Sequence, residues 1–558
     1  MFSRSSKLIK DLRSLPTLFW VSGVFVLILF IFGTLFPGKF MEALSLVNQA
    51  IFEKFGNFYL WFIFVTFLIF LAIGFSPLGK IRLGGNDAKP THSYFSWFSM
   101  IFCCGMGIGI MFWGAAEPLF HFMNPPLEGL TGTMDKHVNA LQVAFFHWGV
   151  SPWAIYGLTT VAIAFWGYNL KKGFYLSSIL GVDKENKNQD DSNRGLIYNL
   201  KKQILKPTVD LITLMAILFG VAASFGLGVL HLEGGLQNVF GAESSTGLKI
   251  GIIVFITVAY MISSMRGLDK GIKIISNVSI ILSLILLISV FFLSPVISII
   301  KPLIMGIPNY LRNVPFLSLG MAEYTSANWV KDWTLMYWSW WIAWTPFVST
   351  FVALISKGRT IREVMYGVLV GPTLFILVWF VVFGDAAITL QIKQAFFGAN
   401  LDLDKVNLVF FQMLNKLAGS QILSILSIVL IAAFFINSAD SATYTLASLS
   451  NEDLEHAPPK VLQFGWGLMF TVLATLFLLT GGIHALIKVT LISVLPFGIW
   501  LVFVFYALIV KLISYYKEEF LTDGEPIPQP IRTKLKIKTT VVSPIYSPIR
   551  STYGIDYK

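Results

Sequence analysis

Charged side chains are scarce. Asp, Glu, Lys and Arg make up 13% of the 558 residues, about half the share found in a soluble domain. That deficit excludes a water-solvated globule as the bulk of the chain. Cysteine is nearly absent: Cys103 and Cys104 are adjacent, so no disulfide framework is available and both read as small apolar residues. The intramembrane ionisable groups reduce to His147 and Asp440. Neither carries a nucleophile–base spacing or a metal-ligand pattern, which argues against an enzyme and against a resident cofactor. The first apolar run is too long for a signal peptide and no small-residue cleavage site follows it, so no cleaved leader is expected. The C-terminal tail has no heptad pattern.

Apolar residues, by contrast, make up 55% of the chain. They gather into twelve runs, each long enough for the about 20 residues that a bilayer crossing takes. The runs fall near 17–36, 58–77, 93–115, 139–167, 208–232, 248–265, 273–300, 334–356, 365–385, 421–449, 461–482 and 488–511. The expected fold class is an all-α integral membrane protein with twelve transmembrane helices. Most of the 41 Lys and Arg lie in the N-terminus, the even-numbered connections and the tail. That bias places both termini in the cytoplasm of a cell with the chain in its plasma (inner) membrane. The net charge of +11 is largely this topological bias, so no nucleic-acid partner is implied; the basic arm 1–16 would meet membrane lipid. Residues 17–92 form two peripheral helices, 93–300 hold spans 3–7, and 301–333 read as an outer amphipathic connection. Spans 8–12 occupy 334–511, and 512–558 form a cytoplasmic tail with little periodicity. The stretch 182–206 reads as a loop leading into a short amphipathic helix, and Arg266–Lys270 and Lys357–Glu363 read as inside turns.

The third span holds Cys103-Cys104-Gly105-Met106-Gly107-Ile108-Gly109. Each glycine weakens a helix by about 0.8–1 kcal/mol relative to alanine. A loosened turn in hydrocarbon must find partners for the backbone groups it frees. Transporters break helices near the midplane so that those groups can hold a solute or ion; close packing of small residues is the alternative. Proline at Glu117-Pro118 should end or kink the span, with Glu117 at the outer interface. In the fourth span, Trp153 falls too near the centre for an interfacial belt, and Tyr156 shares its face with Trp148 nearby. His147 reads either as a proton carrier or as a hydrogen-bonded structural histidine. In the eighth span Tyr337, Trp341 and Trp344 lie on one helical face beside Trp340, while Trp338 could anchor at the interface. In the tenth, Asn437 and Ser438 precede Asp440, a carboxylate at mid-span that is costly unless it faces partners or water.

Indoles at one depth on two helices suit a quaternary ammonium, which has no N–H to donate and is attracted by ring quadrupoles. A zwitterion would then direct its carboxylate to amides of the glycine turn. The features together suggest a secondary transporter of small betaine-like solutes, with an ion channel and a proline carrier as rivals.

The chain resembles the betaine/carnitine/choline transporters, and most of all the glycine betaine carriers. The resemblance runs from about 15 to 515. It rests on Gly-Met-Gly-Ile-Gly with Glu117-Pro118, on His147-Trp148-Gly149 to Tyr156, on Trp338–Pro346 and on Phe434–Ser441. It implies a leucine-transporter-like core in which spans 3–7 and 8–12 are two inverted five-helix repeats, with alternating access and a homotrimer. It implies a substrate cage of Trp148, Trp153, Tyr156 and Trp341, with Trp344 near the solute carboxylate. Trp338 and Trp340 would line the route, and Met106, Gly107 and Gly109 would supply the turn. Gly109, where choline-selective relatives have aspartate, favours a betaine. Sodium as a coupling ion would sit among Cys103, Met106, Phe434, Asn437 and Ser438. A second family sodium site falls on Ile217 and Val221, which lack oxygens, and Ile280 stands where carnitine exchangers have arginine. At most one sodium is therefore expected, with proton coupling or exchange as alternatives.

Overall fold

In hydrocarbon a chain must satisfy its own amides, and a helix does so within one segment. The computed structural model, which describes residues 15–127, 132–181, 196–264, 273–398, 401, 405–451 and 458–520, is accordingly helical nearly throughout. Its principal helices are α1 (Thr17–Leu35), α2 (Pro37–Phe75), α3 (Tyr94–Met123), α4 (Thr133–Trp148), α5 (Val150–Ala164), α6 (Lys206–Phe240) and α7 (Thr246–Ser264). They continue with α8 (Lys273–Leu293), α9 (Val296–Pro315), α10 (Met336–Ile355), α11 (Gly371–Gln394), α12 (Val406–Leu414), α13 (Ser420–Ser450) and α14 (Lys460–Phe520), the last broken at Gly482. Among the described residues there is no strand, only an isolated antiparallel bridge between Arg82 and Thr360. Among the described residues eleven helices are long and apolar enough to cross a membrane, and α3, counted as a bent pair, makes twelve. The chain divides into two compact units, Met1–Ile509 and Val510–Lys558. Of the second, the described part is helical to Phe520, nine residues beyond the expected end of span 12. The rest of the tail, most of the basic arm, residues 182–195 and the turn at Arg266–Lys270 lie outside the described residues.

Helix α3 is central. It packs against α4, α6, α8, α10, α11, α12 and α13, whereas the most apolar stretch of α1 is only 22% buried. The expected loosening takes the form of a bend: α3 changes direction by 65° between Tyr94–Gly105 and Gly107–Met123. The turn is redirected at Met106 while helical assignment continues on both sides.

Its far end differs from expectation in two respects. Pro118 does not end the helix, which runs on to Met123. Residue i−4, whose carbonyl a proline ring would crowd, is Gly114, and the ring instead fills the space left by Gly384. Glu117 is not interfacial but fully buried.

Other breaks refine the twelve runs. The fourth span is two helices joined at Gly149, whose φ −83°, ψ −128° lies outside the helical region. A Cβ there would fall 2.5 Å from the Phe145 carbonyl and from the Tyr310 hydroxyl. The Tyr310 hydroxyl in turn accepts the Val150 amide at 3.0 Å. The seventh span stops at Leu293, and α9 begins three residues later and carries Pro302, Pro308 and Pro315 within it. One stripe of α9 (Ile299, Pro302, Gly306, Tyr310, Val314) is buried while Ile297 and Ile304 face outward, the asymmetry of a helix lying on a surface. The basic loop near 359 is not simply a solvated run. The Arg359 guanidinium is buried, lies 3.9 Å from the Tyr94 ring centroid and donates to the His92 carbonyl. Thr360 and Glu363 close a capping box at the next helix.

The glycine face of α3 has no room for a methyl group, since an added Cβ at Gly105 would lie 2.8 Å from the Trp153 ring. Gly105→Ala should therefore cost roughly 1–3 kcal/mol by overpacking. It is expected to lower the midpoint of thermal unfolding in detergent. Gly251→Ala, at a helical position with nothing within 4 Å, should by contrast leave that midpoint undiminished or raise it, since alanine is the better helix former.

Candidate functional site

Residues 105 and 109 are one turn apart and share a helical face, while residue 107 points the other way. The contacts follow that geometry. Gly105 faces Trp153 of α5, Gly109 faces Trp148 of α4, and Gly107 faces Phe434 of α13, with ring atoms 2.6–2.8 Å from where a Cβ would stand. The glycines thus seat three aromatic rings from three helices directly on the backbone. Close packing, one of the two readings of this stretch, is realised together with the bend.

Around Trp148 the aromatic residues form a dense box. Tyr337, Trp340 and Trp341 of α10 stack nearly parallel, with Trp340 and Trp341 centroids 5.1 Å apart at 8°. Trp148 meets Trp341 edge-on at 4.9 Å and 71°, an arrangement that the ring quadrupoles favour. Because these two rings touch, a solute could pass between them only after one rotates. Trp344 crosses Trp340 at 89°. Trp153 and Tyr156 form a second corner, perpendicular at 5.7 Å. Trp338 is no interfacial anchor: it is buried against Phe146 at 4.9 Å.

The polar ends of these rings differ in a way that matters. Trp148 Nε1–H donates to Glu117 Oε2 at 2.6 Å, Trp341 Nε1–H to the His147 carbonyl at 2.8 Å, Trp340 Nε1–H to Ser224 Oγ at 2.8 Å, and Trp344 Nε1–H to the Gly220 carbonyl at 3.1 Å. Trp153 Nε1 and the Tyr156 hydroxyl are buried and make no hydrogen bond within the protein. A donor buried without a partner costs about 1–3 kcal/mol, so two in one corner call for an acceptor.

Glu117 is the residue that the hydropathy pattern misplaced. Its carboxylate gathers the Trp148 indole, the Tyr337 hydroxyl and His147 Nδ1 at 2.7 Å, with His121 Nε2 at 3.4 Å. With Glu117 ionised the carboxylate only accepts, and His147 then carries its proton on Nδ1 while its Nε2 accepts from the Thr334 hydroxyl at 3.1 Å. His147 is therefore a hydrogen-bonded member of a network. His121 was missed altogether. The signal was present as a Glu117/His121 pair at i, i+4 on a helix that proline was expected to end.

On α13, Ser438 Oγ donates to the Cys103 carbonyl at 3.4 Å, and Asn437 Oδ1 accepts from Ser276 Oγ at 2.9 Å. Cys103, Phe434, Asn437 and Ser438 thus meet where α13 crosses α3; the Met106 side chain lies outside the described residues. Ile217, Val221 and Ile280 are buried and offer no oxygen. Asp440 accepts from Ser263 Oγ through Oδ2, and its buried Oδ1 makes no hydrogen bond. A further buried carboxylate, Asp385 of α11, accepts from Ser298 Oγ at 2.7 Å and lies 3.2 Å from His137 Nε2.

Comparison with known proteins follows the same residues. A model of the betaine/carnitine/choline family transporters matches residues 17–517. An ectoine/hydroxyectoine transporter of Virgibacillus pantothenticus is 36% identical over 86% of this chain and 93% of its own length. The glycine betaine transporter OpuD of Bacillus subtilis is 34% identical over 94% and 99%. Glycine betaine transporter 1 of Vibrio parahaemolyticus is 37% identical over 82% and 84%. A solved Na+-coupled sialic acid symporter aligns over 85% of this chain and 92% of its own, at 12% identity and a TM-score of 0.38, too weak a likeness to bear on the fold. Family model and relatives agree: this multi-pass membrane chain belongs to the betaine/carnitine/choline transporter family, a family of carriers and not of enzymes.

Proposed function

We propose that the chain carries a small quaternary-ammonium zwitterion, glycine betaine or a near analogue, by alternating access across the plasma (inner) membrane. The scaffold is two inverted five-helix repeats, 93–300 and 334–511, with both termini cytoplasmic and three copies per assembly. The observation that carries the substrate reading is the Trp153–Tyr156 corner, where aromatic faces and two partnerless donors occur together. A methylated cation takes the ring faces, and the carboxylate of the same molecule takes the Trp153 N–H and the Tyr156 O–H. Trp148 and Trp341 form the opposing wall. Trp344, whose N–H is engaged by Gly220, contributes shape to the enclosure. Proline has N–H groups that this corner does not answer, and ectoine, named for one relative, has a delocalised ring cation in place of methyl groups.

One sodium at most accompanies the solute. The Cys103 carbonyl, Ser438 Oγ and Asn437 Oδ1 supply oxygens beside the bend, and the apolar pair Ile217 and Val221 supplies none for a second ion.

Uptake into proteoliposomes tests the solute: glycine betaine should compete against labelled substrate better than carnitine, ectoine, choline or proline. Preference for proline would overturn the reading. Trp153→Leu should raise KM for glycine betaine by roughly thirtyfold, equivalent to about 2 kcal/mol of lost cation–π attraction. Trp153→Phe, which keeps a ring and loses the N–H, should fall between it and the native protein. Sodium dependence should be hyperbolic, with a Hill coefficient near one. Ser438→Ala should raise the sodium concentration for half-maximal uptake by about tenfold, or about 1.4 kcal/mol. Sigmoidal sodium dependence would contradict the single site, and uptake indifferent to sodium would remove it.

A further inference from the structure

Three potential ligands of a metal ion converge beside the aromatic box and are not needed by the substrate reading. Glu117 Oε1, His121 Nε2 and one ring nitrogen of His147 lie within 4.8 Å of one another, and all three residues are buried. Glu117 and His121 are one turn apart on α3, and His147 comes from α4. We propose that this trio is a binding site for a divalent first-row transition metal, Zn2+ foremost, independent of the transported solute and of sodium.

Geometry and chemistry both suit it. Zinc binds imidazole nitrogen and carboxylate oxygen at about 2.0–2.2 Å, which puts neighbouring ligand atoms of a tetrahedral site roughly 3.3–3.6 Å apart. His121 Nε2 stands 3.4 Å from Glu117 Oε1 and makes no hydrogen bond within the protein. His147 Nδ1 now donates to that oxygen at 2.7 Å. It becomes a ligand by exchanging tautomer: the proton moves to Nε2, which then donates to Thr334 Oγ1, already 3.1 Å away. No proton is lost overall, because the threonine hydroxyl can accept as readily as donate. The other carboxylate oxygen is held by Trp148 Nε1–H and the Tyr337 hydroxyl. The trio therefore has the outer partners that orient metal ligands: a hydroxyl on His147 and two donors on Glu117. Two neutral imidazoles and one carboxylate leave one positive charge, which a hydroxide or chloride in the fourth position balances. Nitrogen and oxygen ligands with no thiolate favour Zn2+, Co2+, Ni2+ or Cu2+ over Mg2+ and Ca2+. The ion enters when α3 and α4 part, since none of the three side chains is exposed in this state.

The test uses the full-length protein in detergent, purified through a tag that contains no histidine. Titration with Co2+ should give one equivalent per chain with visible d–d absorption of a tetrahedral site. X-ray absorption of the zinc-loaded protein should show two imidazoles in the first shell. His121→Gln should abolish the cobalt spectrum, and Thr334→Val should weaken binding by about 10–100-fold through loss of the partner on His147. His137→Gln, which alters the other buried histidine–carboxylate pair, should change neither. A zinc shell with fewer than two imidazoles overturns the proposal on the native protein alone. So does a cobalt spectrum that persists in a His121→Gln variant with unchanged thermal midpoint.

Discussion

Aromatic rings lie directly on a helix backbone at residues 105, 107 and 109, and the core around α3 follows from that contact. A Cβ at any of these positions would enter a ring of Trp153, Phe434 or Trp148. The alternate spacing sends two of those rings to one face and the third to the opposite face. Helix α4 packs against α3 on the side that also receives the Trp153 ring of α5, and α13 packs against it at Gly107. The cost of three glycines, about 0.8–1 kcal/mol each, is offset by close van der Waals packing of the rings on the backbone, the term that drives helix association where lipid is as apolar as the interior. The same absence of side chains lets the helix turn through 65° where the rings press on it.

Polar groups within this interior fall into two classes. Glu117 belongs to the first: its oxygens are surrounded by indole, phenol and imidazole donors, so it ties α3 to α4 and α10 by charge-assisted hydrogen bonds, about twice as strong as neutral ones. Trp148 is held at its polar end by this carboxylate and at its ring by Trp341, which fixes one wall of the enclosure. In the second class are the Trp153 N–H, the Tyr156 hydroxyl, Asn437 Nδ2 and Asp440 Oδ1, each buried without a partner. Others lie on α3, α4, α6, α8 and α11, so such groups are spread through the helices around α3. Satisfied groups tie the helices together, and the unsatisfied ones keep free hydrogen-bonding capacity inside the bundle.

Hydropathy located nearly every helix because a bilayer demands long apolar runs, and the tenth span illustrates it: 421–449 became Ser420–Ser450. Mid-span Trp153 and Trp344 were legible for the same reason, since no interfacial belt accounts for indoles at that depth, and both are buried. Glu117 was misread because hydropathy gives position along a segment and not direction around it. A carboxylate just past an apolar run looks interfacial until its neighbours are known. Pro118 misled similarly, as its effect depends on the i−4 residue and on Gly384 of a different helix. The break at Gly149 carried no obvious signal, because it depends on the Tyr310 hydroxyl, contributed 160 residues after Val150.

The amino-acid order by itself determined that the chain is helical, membrane-spanning and furnished with glycine, tryptophan and polar residues inside its apolar runs, because burial in hydrocarbon constrains composition locally. Which side chains meet was decided only by tertiary structure. The bend at Met106, the pairing of Glu117 with His121, His147, Tyr337 and Trp148, and the partnerless donors of Trp153 and Tyr156 depend on helices far apart in the chain. Contact requires both the rotation of each helix and the distance between them, and a one-dimensional pattern of apolar residues leaves both undefined.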